Sequence, residues 1–349
     1  MALRHAVKLV HFPLYFLLFS SLLFLFQCSQ YEKPSFTIEV ASVGLNTGSL
    51  NNDGTAAVVG SIYHGVSFWD LEKNERLYNW NHQEEQNTVL VASQFSPENR
   101  WALTAQSHSM VLWNTQTGGA ARYWAAPAEI LDVALATEGQ AALLGLSNHT
   151  AVLFNVNRGG ILRTFNHANR VRSVDLNIAN RLAITGSEDS TAKLWDLETG
   201  KERFTLSHND DVRLVRLSPD ATHAFSMSQY DQAVIWSTRT GEPLYNLPLK
   251  SEHLKRGLMY TAVRFNRENT LLLAGRTDQI VELWQFGEST ITLAQKWKVP
   301  KRDPWKPTGA AITDLSFHSN SKSDKQENII VLASNGFIHR FALHSSIYH

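Results

Sequence analysis

Apolar and polar positions along this chain fall into a pattern that repeats. Seven hexapeptides align without gaps, VSFWDL, MVLWNT, AVLFNV, AKLWDL, AVIWST, VELWQF and IHRFAL, and their fourth positions are Trp69, Trp113, Phe154, Trp195, Trp236, Trp284 and Phe341. The intervals between these rings are 44, 41, 41, 41, 48 and 57 residues, so a period near 41 holds through the middle and stretches in the last two units. Each hexapeptide is apolar almost throughout, as expected of a strand covered on both faces. Around it the units share a grammar. A β-rich segment ends in a turn (FSPEN at 95–99, LSPDA at 217–221), and a second apolar segment follows (RLAITGS at 181–187). Then come the hexapeptide and a tight turn such as Leu197 to Gly200 or Thr238 to Gly241, where glycine is free to take positive φ. Each unit therefore predicts four short antiparallel strands, a to d, and no long amphipathic helix pattern interrupts them.

A four-stranded sheet this short cannot bury both faces alone. Radial stacking of such sheets buries them and leaves only short, protected edges. The predicted fold is all-β, a seven-bladed β-propeller of four-stranded antiparallel blades. Counting strands then locates the closure. Only His344 to His349 follow the last hexapeptide, too few for a turn and a strand d, so Phe36 to Val43 (FTIEVASV) is the expected donor of the missing strand. Closure by an N-terminal strand makes one domain of residues 36–349.

These features resemble the WD-repeat β-propeller family over about residues 36–343, most fully in the fourth unit. There His167, Ser187 and Asp189 precede Trp195 at the family's spacing, and Asp196 follows it. The resemblance implies a buried hydrogen-bonded tetrad of Trp195, Ser187, His167 and Asp189. The fifth unit keeps His208 and Trp236 with Asp231 one residue late, the sixth keeps Asp278 and Trp284, and the third and seventh have Asn148 and Asn335 at the Asp position.

Composition narrows the function. Of 349 residues, 32 are Lys or Arg and 32 Asp or Glu, 18% are charged and 43% hydrophobic, which fits a folded protein and disfavours a nucleic-acid binder. The single cysteine, Cys28, excludes an internal disulfide, a CxxC pair and a cysteine-rich zinc site. Arg4, His5 and Lys8 precede an apolar run from Leu9 to Phe26, which reads as a secretory signal at residues 1–27. Leu25-Phe26-Gln27-Cys28 resembles the lipobox of bacterial lipoproteins, in which the cysteine is lipidated and becomes the new amino terminus. Gln27 departs from that pattern, which prefers a small residue there, and an uncleaved single-pass anchor is the other reading of the run. By the same resemblance, Ser29 implies release to the outer membrane, facing the periplasm. Residues 28–35 are then a short tether, in which Ser29 to Ser35 span at most about 25 Å even if fully extended.

No catalytic or ligand constellation stands out. GxSxG, phosphate-binding glycine loops and HExxH are absent, no cofactor or metal is expected, and the 14 histidines are dispersed. His339 and His344 are expected to face solvent. The enzyme alternative is a quinoprotein-like propeller, because residues 196–201 (DLETGK) look like that family's repeated turn. Phe204 and Tyr245 stand where that family has Trp, and the indoles here precede the Asp instead.

The expected function is a rigid, non-catalytic docking scaffold in an envelope assembly, with a ligand sensor or adhesin as a further alternative. In the WD-repeat family partners usually contact the face carrying the d–a and b–c loops, called the top. Positions carried over by that resemblance are Arg170, Glu188, Asp211 and Gln229, with Gln106, Glu129 and Thr277 in weaker units. A second expected contact region is the basic, aromatic stretch Lys296, Trp297, Lys298, Lys301, Arg302, Trp305 and Lys306, beside Lys250, Lys255 and Arg256. Such a surface suits an acidic protein partner.

Overall fold

All seven aromatic hexapeptides form strands, and each is the third strand of a four-stranded antiparallel sheet. The computed structural model describes residues 31–229, 233–249, 257–305, 309–318 and 328–344. Residues 1–30 with Cys28, and Asp231, Lys250, Lys255, Arg256, Lys306 and the insertion at 319–327, lie outside the described residues. Blades 1 to 6 occupy residues 45–79, 92–125, 130–166, 171–207, 212–247 and 260–298. Blade 7 takes three strands from 312–342 and its fourth from the amino end. Strands a of successive blades touch all the way round, including blade 7 against blade 1, so the ring is closed.

The closing strand is Phe36–Glu39, paired antiparallel with Phe337–Ala342 so that Phe36 faces Arg340 and Glu39 faces Phe337. It is shorter than the expected Phe36 to Val43. The amides of Val40 and Ala41 both turn onto the carbonyl of Gly336, at 2.9 and 3.1 Å, and this bends the chain off the sheet.

The core is divided among seven apolar clusters, one at each blade–blade interface. This explains the unbroken hydrophobicity of the hexapeptides: Leu194 packs towards blade 5 while Trp195 packs towards blade 3. The blades approach closely where strand b carries glycine. A Cβ on Gly186 would lie 2.7 Å from Val212 Cγ1, and one on Gly275 only 2.4 Å from Ile312 Cγ2. At the seam between blades 7 and 1 the sizes are reversed: Leu332 stands on strand b and Gly48 on the facing strand a.

Strand a of each blade is an edge facing the axis, and carboxylates of the preceding blade satisfy some of its amides. Asp132 accepts from Val174 N (2.9 Å), Asp175 from Leu217 N (2.8 Å) and Asp314 from Leu50 N (2.8 Å). Burial pushes the Asp132 and Asp175 carboxyls up, against the opposing charge of Arg216. Blade-to-blade registry is thus fixed by hydrogen bonds at the axis and by apolar packing further out.

Candidate protein-docking site

The top loops are held by polar chains buried beneath them. In blade 4, Trp195 Nε1 donates to Thr185 Oγ1 at 2.8 Å, the same hydroxyl lies 2.7 Å from His167 Nε2, and His167 Nδ1 lies 2.8 Å from Asp189 Oδ2. Every proton finds an acceptor if the imidazole is neutral with its hydrogen on Nδ1: indole to hydroxyl, hydroxyl to Nε2, Nδ1 to carboxylate. Burial holds the His167 pKa below its ordinary value despite Asp189. The hydroxyl is therefore Thr185 and not Ser187, which corrects the expected tetrad. Ser187 instead donates to the Asn169 carbonyl (3.0 Å) and accepts from Asp189 N (3.1 Å), binding the b–c loop to the d–a loop.

Blade 5 repeats the core of this chain, with His208 Nε2 2.8 Å from Ser226 Oγ and Trp236 Nε1 donating to that hydroxyl at 3.2 Å. Blade 2 has it too, which the sequence reading missed. His82 Nε2 lies 2.8 Å from Thr104 Oγ1, and Trp113 Nε1 donates to Thr104 at 2.7 Å. Blade 6 replaces it with charge. Glu282 accepts from Tyr260 Oη (2.7 Å), Arg276 Nη1 (2.7 Å) and Trp284 Nε1 (3.2 Å), and Arg276 also pairs with Asp278 (2.7 Å). Arg276 and Glu282 are each only 2% exposed.

Above the blade 4 chain, four of the expected contact residues gather at one rim. Glu188 accepts from Arg170 Nε (2.7 Å), and Asp211 and Gln229 both accept from Arg213 Nη2 (3.0 and 2.9 Å). Two further arginines belong here: Arg172, whose Nε donates to Glu188 at 2.5 Å, and Arg213, whose Nη1 is 3.9 Å from Glu188. Both stand in the strand immediately after a d–a loop, and that position was the available signal. Burial works to raise the Glu188 pKa, but the hydrogen bonds and charges of Arg170 and Arg172 outweigh it and hold the carboxyl below its ordinary range. Of the weaker-unit positions, Gln106 accepts from Ser109, Thr277 Oγ1 accepts from the Met259 amide and donates to the Gly257 carbonyl in the d–a loop before blade 6, and Glu129 is exposed.

The expected basic region is largely taken up by the fold. Lys296 pairs with the buried Glu282 at 3.4 Å, and Trp297 is fully buried between blades 6 and 7. Arg302 donates to the Asn335 carbonyl (2.8 Å), the Ala41 carbonyl (2.6 Å) and Glu39 (2.8 Å), and its guanidinium sits 4.4 Å over the Phe337 ring. It ties the loop before blade 7 to the closing strand. Lys301 is half-buried, whereas Trp305 is 94% exposed in the same loop. His339 is buried, not solvent-facing: its Nδ1 meets Thr37 Oγ1 at 2.9 Å, because the closing strand covers it. His344 is exposed.

Exposed apolar side chains are distributed unevenly between the two faces. Among the described loops, Val43, Ile62, Tyr63, Val89 and Trp305 are exposed on the top and only Ile178 on the opposite face. The loops that carry the top five are linked in series. Arg302 reaches Ala41, Ile62 N donates to Gly44 O (3.2 Å), and Asn87 Nδ2 donates to Tyr63 O (2.7 Å). They form one sector over blades 7, 1 and 2. No cluster of residues that could hold a metal ion occurs among the described residues.

Residues 159–196, which end at the blade 4 hexapeptide, match the family described as WD domain, G-beta repeat. A comparison with curated proteins returns no match. Among solved structures, the chain is similar to one titled "Crystal Structure of Mitotic Checkpoint Complex", with a TM-score of 0.73 and 13% identity over 99% of this chain and 98% of that one. At that identity the likeness concerns the ring alone.

Proposed function

We propose that this protein is a WD-repeat propeller that serves as a lipid-anchored docking platform, binding a protein partner through its top face. The unequal distribution of exposed apolar side chains carries this reading. Five large apolar residues on connected top loops, against Ile178 alone on the bottom loops among the described residues, make the kind of patch that soluble surfaces reserve for partners. Trp305 and Tyr63 are the anchors, since aromatic side chains bury large areas at small entropic cost. The anchor is Cys28, in an envelope compartment facing the periplasm. Phe36 begins the closing strand at the bottom of blade 7.

Cross-linking and mass spectrometry in native membranes test the proposal. Exchanging Tyr63 and Trp305 for serine should abolish the principal cross-linked partner, while Ile178→Ser on the bottom and Leu162→Ser on the rim should leave it in place. An unchanged partner set in the Tyr63/Trp305 variant rejects the surface. Intact mass of the mature protein tests the anchor separately: acylation adds acyl-chain masses to a chain starting at Cys28.

A further inference from the structure

The rim of blade 4 carries more hydrogen-bonding capacity than the fold uses. Arg170, in the d–a loop, and Arg172, in strand a, stand two residues apart and share one acceptor, Glu188. Each reaches it through Nε, at 2.7 and 2.5 Å. Their four terminal nitrogens make no hydrogen bond to any other described group. An arginine pair bound side-on to one carboxylate keeps a net positive charge and the outer edges of two guanidinium forks, the geometry that receives a second carboxylate bidentately. The nearby acids have other partners: Asp211 pairs with Arg213 at 3.0 Å, Asp189 accepts from Thr191 Oγ1 at 2.6 Å and lies 2.8 Å from His167 Nδ1, and Asp210 accepts from the Asp211 amide at 2.7 Å.

The pair is also held in place before anything binds. Glu188 is 7% exposed in its side chain, its amide donates to the Arg170 carbonyl at 2.9 Å, and the next residue, Asp189, is locked by His167. Arg170 and Arg172 remain 47% and 27% exposed. A preorganised, partly desolvated fork of this kind binds an anion without first having to order its own side chains.

We infer that Arg170 and Arg172 form a carboxylate receptor that takes an aspartate or glutamate side chain of an acidic segment in the partner protein. This rests on the docking role of the top face and names the chemistry of a second contact, on the blade 4 rim. A carboxylate from a partner would lie across the outer nitrogens of both guanidiniums while Glu188 stays where it is.

The probe is a fluorescent ten-residue peptide containing four glutamates, compared with its glutamine counterpart, titrated against the full-length chain in detergent at 50 and 300 mM salt. The glutamate peptide should bind at low salt and weaken at least tenfold at 300 mM, and the glutamine peptide should not bind. Arg170→Gln and Arg172→Gln should each weaken binding about tenfold with unchanged melting temperature, while Trp305→Ser should leave peptide binding intact. Equal binding by the arginine variants overturns the inference, as does failure of the glutamate peptide alongside binding of a phosphoserine peptide. Loss of partner cross-links in Trp305→Ser with intact peptide binding separates this receptor from the wider docking surface, so either can fail without the other.

Discussion

The indole of Trp195 and the hydroxyl of Thr185 are joined at 2.8 Å in the middle of blade 4, and the same hydroxyl lies 2.7 Å from His167. Thr185 is thus the hydrogen-bonded link in blade 4 between the indole that packs the blades and the imidazole that fixes the top loops, whose rings also meet edge to face at 6.1 Å. Thr185→Val keeps the shape and strands two buried polar groups, which should cost about 2–3 kcal/mol, while Thr185→Ser should cost under about 1 kcal/mol. Ser187→Ala removes only loop contacts and should cost about 1 kcal/mol. Urea denaturation of the three variants checks the order.

Arg302 holds the seam. Its bonds to two carbonyls and to Glu39 should make Arg302→Ala destabilising by about 2–3 kcal/mol, with little recovery in Arg302→Lys, which cannot reach several acceptors at once. Gly336, at φ +87°, would bring a Cβ within 2.0 Å of the Ala41 carbonyl oxygen, so Gly336→Ala should be at least as harmful. Gly160 also has positive φ but nothing within 4 Å, and Gly160→Ala is the milder control. Thermal melts separate the four.

The His339 pKa is pushed down to about 4 by burial. The unfolded chain then takes up this proton before the folded one does. The contribution is complete above the unfolded value near 6.5, and is lost as pH falls from there to about 4. At about 1.4 kcal/mol per unit the loss is on the order of 3 kcal/mol. His339→Phe should flatten the stability profile between pH 6.5 and 4 relative to the unaltered protein. His82, also held at about 4 by burial, keeps its share in both proteins. The raised carboxyls of Asp132 and Asp175 act in the opposite direction and cancel in the comparison.

In blade 6, Glu282 balances Arg276 in the interior. Glu282→Gln takes a buried negative charge away from that guanidinium, which keeps its pair with Asp278, and should cost about 3 kcal/mol, far more than Glu288→Gln at an exposed turn. Replacing Arg276 and Glu282 together by Met and Leu should recover much of the loss. Chemical denaturation of single and double variants reads the coupling.

The ring itself was legible because burial on both faces leaves a long apolar run, and seven such runs at one period leave few architectures. The closing strand followed from counting strands. The tetrad hydroxyl was not legible, since Thr185 and Ser187 are two residues apart on one strand and alternation places them on the same face. Cross-strand register decides between them: Trp195 lies opposite Ala183, two residues from Thr185 and four from Ser187. A spacing of ten residues before the tryptophan, shared by Thr185 and Ser226, would have found the hydroxyl. The same count in blade 6 reaches Ala274, which is why a carboxylate enters there. Charge counting overstated the basic region because a list of lysines and arginines does not reveal which backbone carbonyls consume them. Arg302 is the clearest case.

The pairing of Thr37 with His339 spans 302 residues. Closing so long a loop costs about 3 kcal/mol more chain entropy than closing a ten-residue hairpin. During synthesis the closing strand leaves the ribosome well before the edge it must join, and has to wait unpaired until the strands of blade 7 have been made. Its counterpart is identical in every copy, so refolding at high concentration should yield exchanged dimers, each molecule lending its amino-terminal strand to the other.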